Sequence, residues 1–444
     1  MSKKNILVVT TCFSPENAVG SVRLTKIVKF LIRNGYQVTV ISPQLHEGSK
    51  IDNSLESKEL DSVNRITVPQ SKVFAEIFLK KRNDLLNKQS ATEYIKIRKN
   101  YGITQVLKAI IFRYAHLGYT LLRNLDWRNQ VDMYVKNNFK QNQFDAVFSS
   151  YPSLGAMWAS KSIKKRKIAK KWIADFRDPI NYKSNSDIII YNINKLIQSS
   201  IIKHIDAGTF VTKGMITKIS APESISFYLP NGIDDDDLNY KIDISKISDS
   251  NTLNFSYVGS LYGGERDLSI IFVALNHLIN EGILKKENVK FYYAGNEFDV
   301  LKSQASQSNV EEVLINKGYV TREESIQIQA EADISIIVSW NTENDFGVIP
   351  GKLYESFLMR KPIIGIVNGS LADSELSYMI NFVNAGVCYE DASLNKENDL
   401  KKIVNFIQNK YLEKQEYKAI KHTYDSNVNK FYYKNIVEKL GEIL

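Results

Sequence analysis

One stretch of the sequence combines a loop that could bind phosphate with side chains that could bind a sugar. It runs from Phe346 to Glu355 and reads Phe-Gly-Val-Ile-Pro-Gly-Lys-Leu-Tyr-Glu. Its glycines and proline interrupt regular structure, and a helix that starts behind such a loop offers free N–H groups to an anion. Lys352 adds a positive charge, and Glu355 could accept hydrogen bonds from vicinal hydroxyls. Together these features indicate a nucleotide or nucleotide-sugar site; an ordinary helix start with a surface Lys–Glu pair is the alternative.

The elements around this stretch alternate between strands and helices, as in α/β proteins. A first strand leads into a loop that contains Gly20 and then into an amphipathic helix that ends at Gly35. Two consecutive series of apolar runs imply two Rossmann-like domains that face each other across a cleft, with ligands at the carboxyl ends of the strands. The predicted strands are 5–12, 37–42, 65–69, 145–150, 171–175, 207–211 and 225–229, then 253–259, 289–294, 312–315, 333–338, 363–367 and 386–389.

We therefore predict two domains and a returning helix. The first domain covers 1–240 and carries a basic helical insertion at about 71–140, and the second domain covers 241–414. The acidic run Asp234–Asp237 and the polar residues after it are expected to link the domains. Residues 415–444 are expected to form a C-terminal helix that returns to the first domain.

Composition narrows the class of protein. The 444 residues are 43% hydrophobic and 24% charged, which is typical of a globular protein. Cys12 and Cys388 are far apart, so a disulfide framework or a zinc site is not expected, and a reducing cytoplasm fits best. None of the five histidines pairs with a carboxylate at metal-ligand spacing, so we expect no metal. No apolar run reaches the roughly 20 residues that span a bilayer, which predicts a soluble or peripheral protein.

The positive charge is concentrated in two segments. Residues 72–140 hold 14 Lys/Arg against 5 Asp/Glu, and 161–171 add seven bases, while the whole chain carries a net charge of +9. Such segments suit anionic lipid or a polyanionic substrate, although a solvated helix face is the alternative. We expect no nucleic-acid partner, because no known reading module accompanies the charge.

Within the insertion, a helix from Val106 to Asn124 has an apolar side and a polar side. It could lie in a membrane interface or dock on the domain's own core, and we favour docking. The apolar side comprises Leu107, Ile110, Ile111, Tyr114, Leu117, Leu121 and Leu122, and the polar side comprises Gln105, Lys108, Arg113, His116, Thr120 and Arg123.

Several motifs resemble, in order and spacing, those of glycosyltransferase family 4, whose members are retaining sugar-nucleotide transferases of the GT-B fold. The resemblance covers nearly the whole chain outside 71–140. It implies an acceptor-binding first domain and a donor-binding second domain, and the relatives that look most similar act in bacterial cell-surface polysaccharide assembly, such as capsule or O-antigen. The motifs are Phe13–Gly20, Ile173–Pro179, Leu229–Asp234, Tyr257–Ser260 and Gly351–Glu355.

The resemblance also implies roles for individual residues of the second domain. Glu355 matches the second glutamate of the family's E-x7-E motif, which holds the donor ribose, and Arg266 falls near the basic residue at the diphosphate. A fixed cation would stabilise the leaving diphosphate, so no metal would be needed. A solvent-facing residue at a helix start is the alternative for Arg266. The predicted donor-binding residues are Gly259, Ser260, Arg266, Gly295, Gly351, Lys352, Leu353 and Glu355.

Two departures from the family pattern concern the reacting centre. The first motif glutamate is replaced by Gly347, and Glu343 or Asp345 could take its place. The family's histidine in the first domain is absent, and Arg177 stands beside Asp178 instead. We predict that Asp175, Arg177 and Asp178 are catalytic, holding an acceptor hydroxyl or its phosphate, with a salt-bridged loop as the alternative. Gly20, Ser21 and Arg23 would border the acceptor.

The sequence thus predicts a cytoplasmic, peripherally membrane-associated glycosyltransferase. It would move a sugar from a nucleotide-sugar to a lipid-linked or polysaccharide acceptor, and among the nucleotide-sugars we favour a UDP-linked donor. Retaining transfer without a protein nucleophile is pictured as front-side attack, in which the leaving phosphate takes the acceptor proton. Two alternatives remain open: a UDP-sugar epimerase or hydrolase of the same fold, and a non-catalytic partner or chaperone subunit.

Overall fold

The computed structural model describes residues 4–16, 18–45, 49, 51–75, 103–181, 187–239 and 251–444. Residues 76–102 of the predicted insertion and 240–250 of the polar linker lie outside the described residues. Two parallel sheets organise the rest of the chain, one of seven strands and one of six. Both sheets are flanked by helices, which confirms the predicted fold class of two Rossmann-like domains.

The first sheet has the strand order β3-β2-β1-β4-β5-β6-β7. Its central strands are nearly continuous apolar runs, because helices cover both faces of a parallel sheet. The strands are β1 (Asn5–Val9), β2 (Gln37–Ser42), β3 (Asn64–Thr67), β4 (Phe144–Tyr151), β5 (Ala169–Phe176), β6 (Ala207–Phe210) and β7 (Ser226–Tyr228), and the helices are α1 (Val19–Arg33), the single turn α2 (Lys72–Phe74), α3 (Ile103–Asn138), α4 (Leu154–Lys165), α5 (Ile188–Ile202) and α6 (Lys213–Ile219).

The second sheet has the order β10-β9-β8-β11-β12-β13. The strands predicted in both series are all present, and α6 and α11 are helices that the sequence prediction missed. The strands are β8 (Leu253–Val258), β9 (Val289–Ala294), β10 (Leu314–Gly318), β11 (Ile334–Trp340), β12 (Ile363–Asn368) and β13 (Gly386–Glu390), and the helices are α7 (Ser269–Asn280), α8 (Phe298–Ser306), α9 (Arg322–Glu331), α10 (Lys352–Leu358), α11 (Glu375–Phe382), α12 (Lys396–Tyr417) and α13 (Tyr433–Ile443).

The chain crosses between the domains at two adjacent segments. The backbone N–H of Ile233 donates to the carbonyl of Phe431 (2.7 Å), and the N–H of Tyr433 donates to the carbonyl of Ile233 (2.9 Å). Beyond this crossing, α13 packs its apolar face against α1 in the first domain's core. The returning part is therefore α13, whereas α12 and the turn that follows it pack within the second domain.

The acidic run, predicted as a linker, is docked on α1 instead. Asp234 accepts hydrogen bonds from Lys26 (2.5 Å) and Lys29 (2.7 Å), and Asp236 pairs with Lys29 (2.6 Å). Although burial alone would raise the pKa of the Asp234 carboxyl, the two lysines hold it below its usual range. One face of α1 thus fixes the segment that leads out of the first domain.

Helix α3 divides into two halves. Its C-terminal half, with Trp127, Val131 and Val135, is buried in the first domain's core, and the indole N–H of Trp127 donates to the carbonyl of Val68 (3.0 Å). Its N-terminal half is exposed at Ile110, Ile111 and Phe112. The apolar side predicted to dock, within 106–124, therefore docks only in part: Leu121 packs against the core, whereas Ile110, Ile111 and Leu122 are exposed. The buried residues of α3 lie beyond 124. Among the described residues, no helix is long and apolar enough to cross a bilayer.

Candidate functional site

Several of the predicted site residues follow strands at which the order of the sheet reverses. This reversal lies between β1 and β4 in the first sheet and between β8 and β11 in the second. Loops that leave neighbouring strands at such a point turn in opposite directions and open a crevice at the carboxyl ends of the strands. Gly259 and Ser260 follow β8, and the loop with Gly347 follows β11.

The two domains meet at a contact between α6 and the loop after β11. Lys218 of α6 pairs with Asp345 (2.5 Å), and both side chains are largely buried, at 10% and 7% exposure. The carboxylate of Glu375, in the first turn of α11, accepts the backbone N–H groups of Lys213 (2.9 Å) and Gly214 (3.1 Å). The domains are therefore held together by charge-assisted hydrogen bonds on both sides of α6.

Gly347, at the position where the sequence resemblance implied a glutamate, lies at the centre of this contact. Its φ of +65° lies in the left-handed region, and a Cβ built on it would lie 2.7 Å from the Cα of Gly214. A side chain at 347 would be strained and would push the domains apart. The same Cβ would lie 3.3 Å from Oε2 of Glu375, so a carboxylate does occupy this space, but it comes from α11.

The two carboxylates predicted to replace the missing glutamate differ in environment. Glu343 is exposed. Asp345 is buried between Lys218 and the indole N–H of Trp340, which donates to it (2.5 Å), so its oxygens already serve the interdomain contact. Sequence reasoning missed Glu375; the signal available was a serine N-cap, Ser374, directly before an acidic residue and an apolar run.

Glu355 and Lys352 form the pair that the sequence suggested, inside the cleft wall of the second domain. Lys352 Nζ donates to Oε2 of Glu355 and to Ser325 Oγ (both 2.8 Å), and the amide of Gln329 donates to Oε2 (2.7 Å). Burial would raise the pKa of Glu355, but the ammonium and the amide hold it below its usual range. In the described part of the chain no hydrogen bond involves Oε1, so this oxygen can accept a hydroxyl.

Arg266 is held between two aromatic rings beside Gly259 and Ser260. Its guanidinium carbon lies 4.8 Å from the ring centre of Tyr262 and 5.2 Å from that of Trp340, and Nη1 donates to the carbonyl of Ser260 (3.2 Å). Such cation–π contacts fix the position of a charge and leave its outer edge available. Gly351, near the start of α10, faces open space, and Leu353 is buried in the core behind it.

Glu297 closes the loop between β8 and α7. Its carboxylate accepts the backbone N–H groups of Leu261 (2.7 Å) and Gly263 (2.6 Å) and the hydroxyl of Ser260 (2.6 Å). Gly295 lies under this loop, where a Cβ would be 2.5 Å from the carbonyl oxygen of Gly259. Sequence reasoning missed Glu297, whose hydrogen bonds set the shape of the loop that holds Ser260.

Asp175 and Arg23 form a buried ion pair rather than an open catalytic group. Arg23 Nε and Nη2 donate to the two carboxylate oxygens (3.1 and 2.8 Å), and Ser150 and Thr209 hydroxyls donate to the same oxygens (both 2.8 Å). Neither Asp175 nor Ser21 exposes any surface, and Arg23 exposes almost none. The geometry favours structural roles for these three residues over the predicted catalytic and acceptor-side ones.

Arg177 and Asp178 differ from Asp175, because both can be reached from the cleft. The Arg177 guanidinium lies against Gly20, whose Cβ would be 2.8 Å from Nη2. Asp178 is open to solvent, yet the surrounding protein desolvates it and raises the pKa of its carboxyl, an effect that Arg177 opposes and Asp345 reinforces. Two of the three predicted catalytic residues thus border the cleft.

A cavity of about 150 Å³ opens at the carboxyl ends of β1, β2 and β3. Glu16 lies at its wall, and burial raises the pKa of this carboxyl while Arg123 of α3 lowers it. No group of three or more possible metal ligands occurs among the described residues. The cavity is lined by Thr11, Phe13, Ser14, Pro15, Glu16, Val40, Ser42, Pro43, Leu45, Arg65 and Thr67.

No protein-family model and no curated protein sequence matches the chain. Solved structures do, over nearly the full length of both chains. Sucrose-phosphate synthase from Thermosynechococcus elongatus is 8% identical with a TM-score of 0.61 and covers 99% of this chain and 98% of its own. HepE from Anabaena, in complex with UDP, is 12% identical (TM-score 0.58, 99% and 98% covered). The lipopolysaccharide outer core galactosyltransferase WaaB is 9% identical (TM-score 0.55, 99% and 98% covered). These similarities show the fold, the two-domain GT-B architecture.

Proposed function

We propose that the protein is a retaining glycosyltransferase that uses a nucleotide-sugar, UDP-linked, as its donor. The observation that carries this proposal is the arrangement in the second domain: an ionised Glu355 with one free oxygen and a clamped Arg266, on the cleft wall of a GT-B fold. A carboxylate suits ribose hydroxyls, and a fixed guanidinium suits a diphosphate. Structures of similar fold were solved with UDP and with UDP-2-fluoro glucose.

The transfer would proceed with the chain's own cations and no metal. The bond between the anomeric carbon and the diphosphate oxygen breaks as the acceptor oxygen bonds to the same face. The acceptor proton passes to the leaving diphosphate. Arg266 and Lys352 would stabilise the negative charge that develops on the leaving diphosphate oxygen. Asp178, with Arg177 beside it, would orient the acceptor hydroxyl.

In this proposal, the first domain (1–240) binds the acceptor and the second (241–414) binds the donor. The cavity next to Glu16 adjoins the cleft on the first domain's side and is the acceptor route that we favour. The acceptor would be a lipid-linked or polysaccharide glycan in cell-surface assembly, and the protein would work in the cytoplasm against the inner face of the plasma membrane. The fold shared with WaaB, a lipopolysaccharide galactosyltransferase, supports this choice.

Release of nucleoside diphosphate tests the activity. The protein is incubated with UDP-glucose, UDP-galactose, UDP-N-acetylglucosamine or GDP-mannose, with and without lipid extract, and released UDP or GDP is measured. We expect release from UDP-sugars that rises with lipid extract and falls in Arg266→Ala. Release that is independent of any acceptor would support a hydrolase or epimerase instead. No release from any donor would favour a non-catalytic partner.

A further inference from the structure

Two helices of the first domain, α3 and α5, carry exposed apolar side chains. We call this set the rim patch: Ile110, Ile111 and Phe112 of α3 with Ile188, Ile189 and Leu196 of α5. The largest exposures are 68% at Ile111 and 72% at Leu196. Tyr114 of α3 lies close to Asp187, the residue that caps α5, so the two helices approach each other at this point.

The lengths of the elements place this patch beside the cleft. Helix α3 has 36 residues, about 54 Å, whereas the eight-residue strand β4 that it precedes spans about 26 Å. Because α3 ends at the amino edge of the sheet, its N-terminal half must project past the carboxyl edge. Helix α5 starts from the loop after β5, at that same edge. The patch therefore lies on the side where Asp178 and the Glu16 cavity open.

The two helical segments that carry the patch hold bases and no acidic residue. From Ile103 to Leu125 there are three bases (Lys108, Arg113, Arg123) and no acidic residue, and from Ile188 to Lys203 there are two bases and no acidic residue. One carboxylate, Asp187, lies at the junction; the hydrogen bond from the backbone N–H of Ile189 lowers its pKa most, and the nearby Tyr114 and Arg113 lower it further. Apolar side chains framed by bases are the features of a surface that lies in an anionic lipid interface.

The basic segment 161–171 does not belong to this surface. It lies at the amino edge of the sheet, and three of its seven bases are paired: Lys164 with Asp206 (2.7 Å), Arg166 with Asp132 (2.6 Å) and Lys170 with Asp145 (2.7 Å). The two basic segments of the sequence therefore lie on different surfaces. Residues 161–171 form a basic edge with three ion pairs, and the N-terminal half of α3 contributes to the rim patch.

We propose that the rim patch docks the protein on an anionic lipid surface and thereby turns the mouth of the acceptor cavity toward the membrane. The biological role of this docking rests on the proposed function, since a lipid-linked acceptor would enter the cavity from the membrane. The docking itself requires only the patch, so it can be measured without any substrate.

The test is vesicle sedimentation with phosphatidylcholine vesicles that contain or lack phosphatidylglycerol. We expect binding to anionic vesicles that weakens with salt and falls at least tenfold in Ile111→Asp/Leu196→Asp. The control, Val273→Asp/Leu412→Asp, changes two exposed apolar residues on second-domain helices (41% and 52% exposed) and should keep wild-type binding.

Wild-type protein that does not sediment, a double variant that still binds, or equal loss in the control would overturn the proposal. Light scattering would also overturn it if it shows a dimer that Ile111→Asp dissociates, because the patch would then bind a second copy. Thermal unfolding of each variant verifies that it is folded. UDP titration of the same proteins separates the two proposals: loss of docking with intact UDP binding concerns the patch alone, and failure of UDP binding concerns the proposed function alone.

Discussion

Asp175 and Asp178 lie three residues apart, and the structure predicts opposite consequences for the same substitution in each. Asp175→Asn leaves Arg23 charged inside the first domain without a carboxylate. Arg23 keeps its hydrogen bonds to the carbonyls of Pro230 (2.6 Å) and Leu229 (2.8 Å), but no negative charge compensates it. Removing one partner of a buried ion pair costs about 3–5 kcal/mol. We expect a loss of that size in the free energy of unfolding of the first domain.

Asp178→Asn is the matched control. Because desolvation raises the pKa of Asp178, the folded protein disfavours its charged form, so a neutral asparagine should leave stability unchanged or raise it slightly. The two variants remove the same charge from neighbouring positions, and only the environment differs.

Urea unfolding followed by tryptophan fluorescence measures the difference, since three of the four tryptophans (Trp127, Trp158 and Trp172) lie in the first domain. With an m-value of about 2 kcal/mol/M, Asp175→Asn should lower the midpoint by about 1.5–2.5 M. If both variants unfold with wild-type midpoints and Asp175→Asn only abolishes UDP release, the structural assignment of Asp175 is wrong and the sequence prediction of a catalytic role is correct.

Three further predictions follow from the contacts. Gly347→Glu should open the cleft, because a Cβ there meets Gly214; an unchanged radius of gyration in small-angle scattering would contradict this. Lys218→Met removes the Lys218–Asp345 ion pair and should increase hydrogen exchange across 213–219, whereas unchanged exchange would show that the pair does not hold the domains. The lowered pKa of Asp234 means that its stabilisation is present above the unfolded value of about 3.9 and is lost as pH falls through the folded value. Lys26→Met should flatten that part of the stability–pH curve, and a curve identical to that of the wild type would contradict the assignment.

The strands were predictable because each is a short apolar run bounded by turn residues, and two such series permit few topologies. The Lys352–Glu355 pair was predictable for a related reason: the two residues are three positions apart on one helix, so their proximity is local. The partners Ser325 and Gln329 come from α9 and carry no signal of their own in the sequence.

The contacts between domains could not be predicted in this way. Helix α6 has only seven residues and shows little periodicity, yet it meets Gly347, Asp345 and Glu375. The pairing of Arg23 with Asp175 joins residues 152 positions apart, and only the sheet order brings them together. The sequence of an acidic run does not distinguish a solvated segment from a docked one. The contacts of Asp234 with α1 could therefore not be predicted from the sequence.

The central claim, a nucleotide site on the second domain, is tested most directly by calorimetric titration of UDP, GDP, CMP and NAD into wild type, Glu355→Ala and the exposed control Glu343→Ala. Loss of a charge-assisted hydrogen bond to ribose should weaken UDP binding by about 1.5–3 kcal/mol, or roughly ten- to a hundredfold, with no change in Glu343→Ala. UDP binding that Glu355→Ala leaves intact, or no nucleotide binding by wild type, would contradict the account.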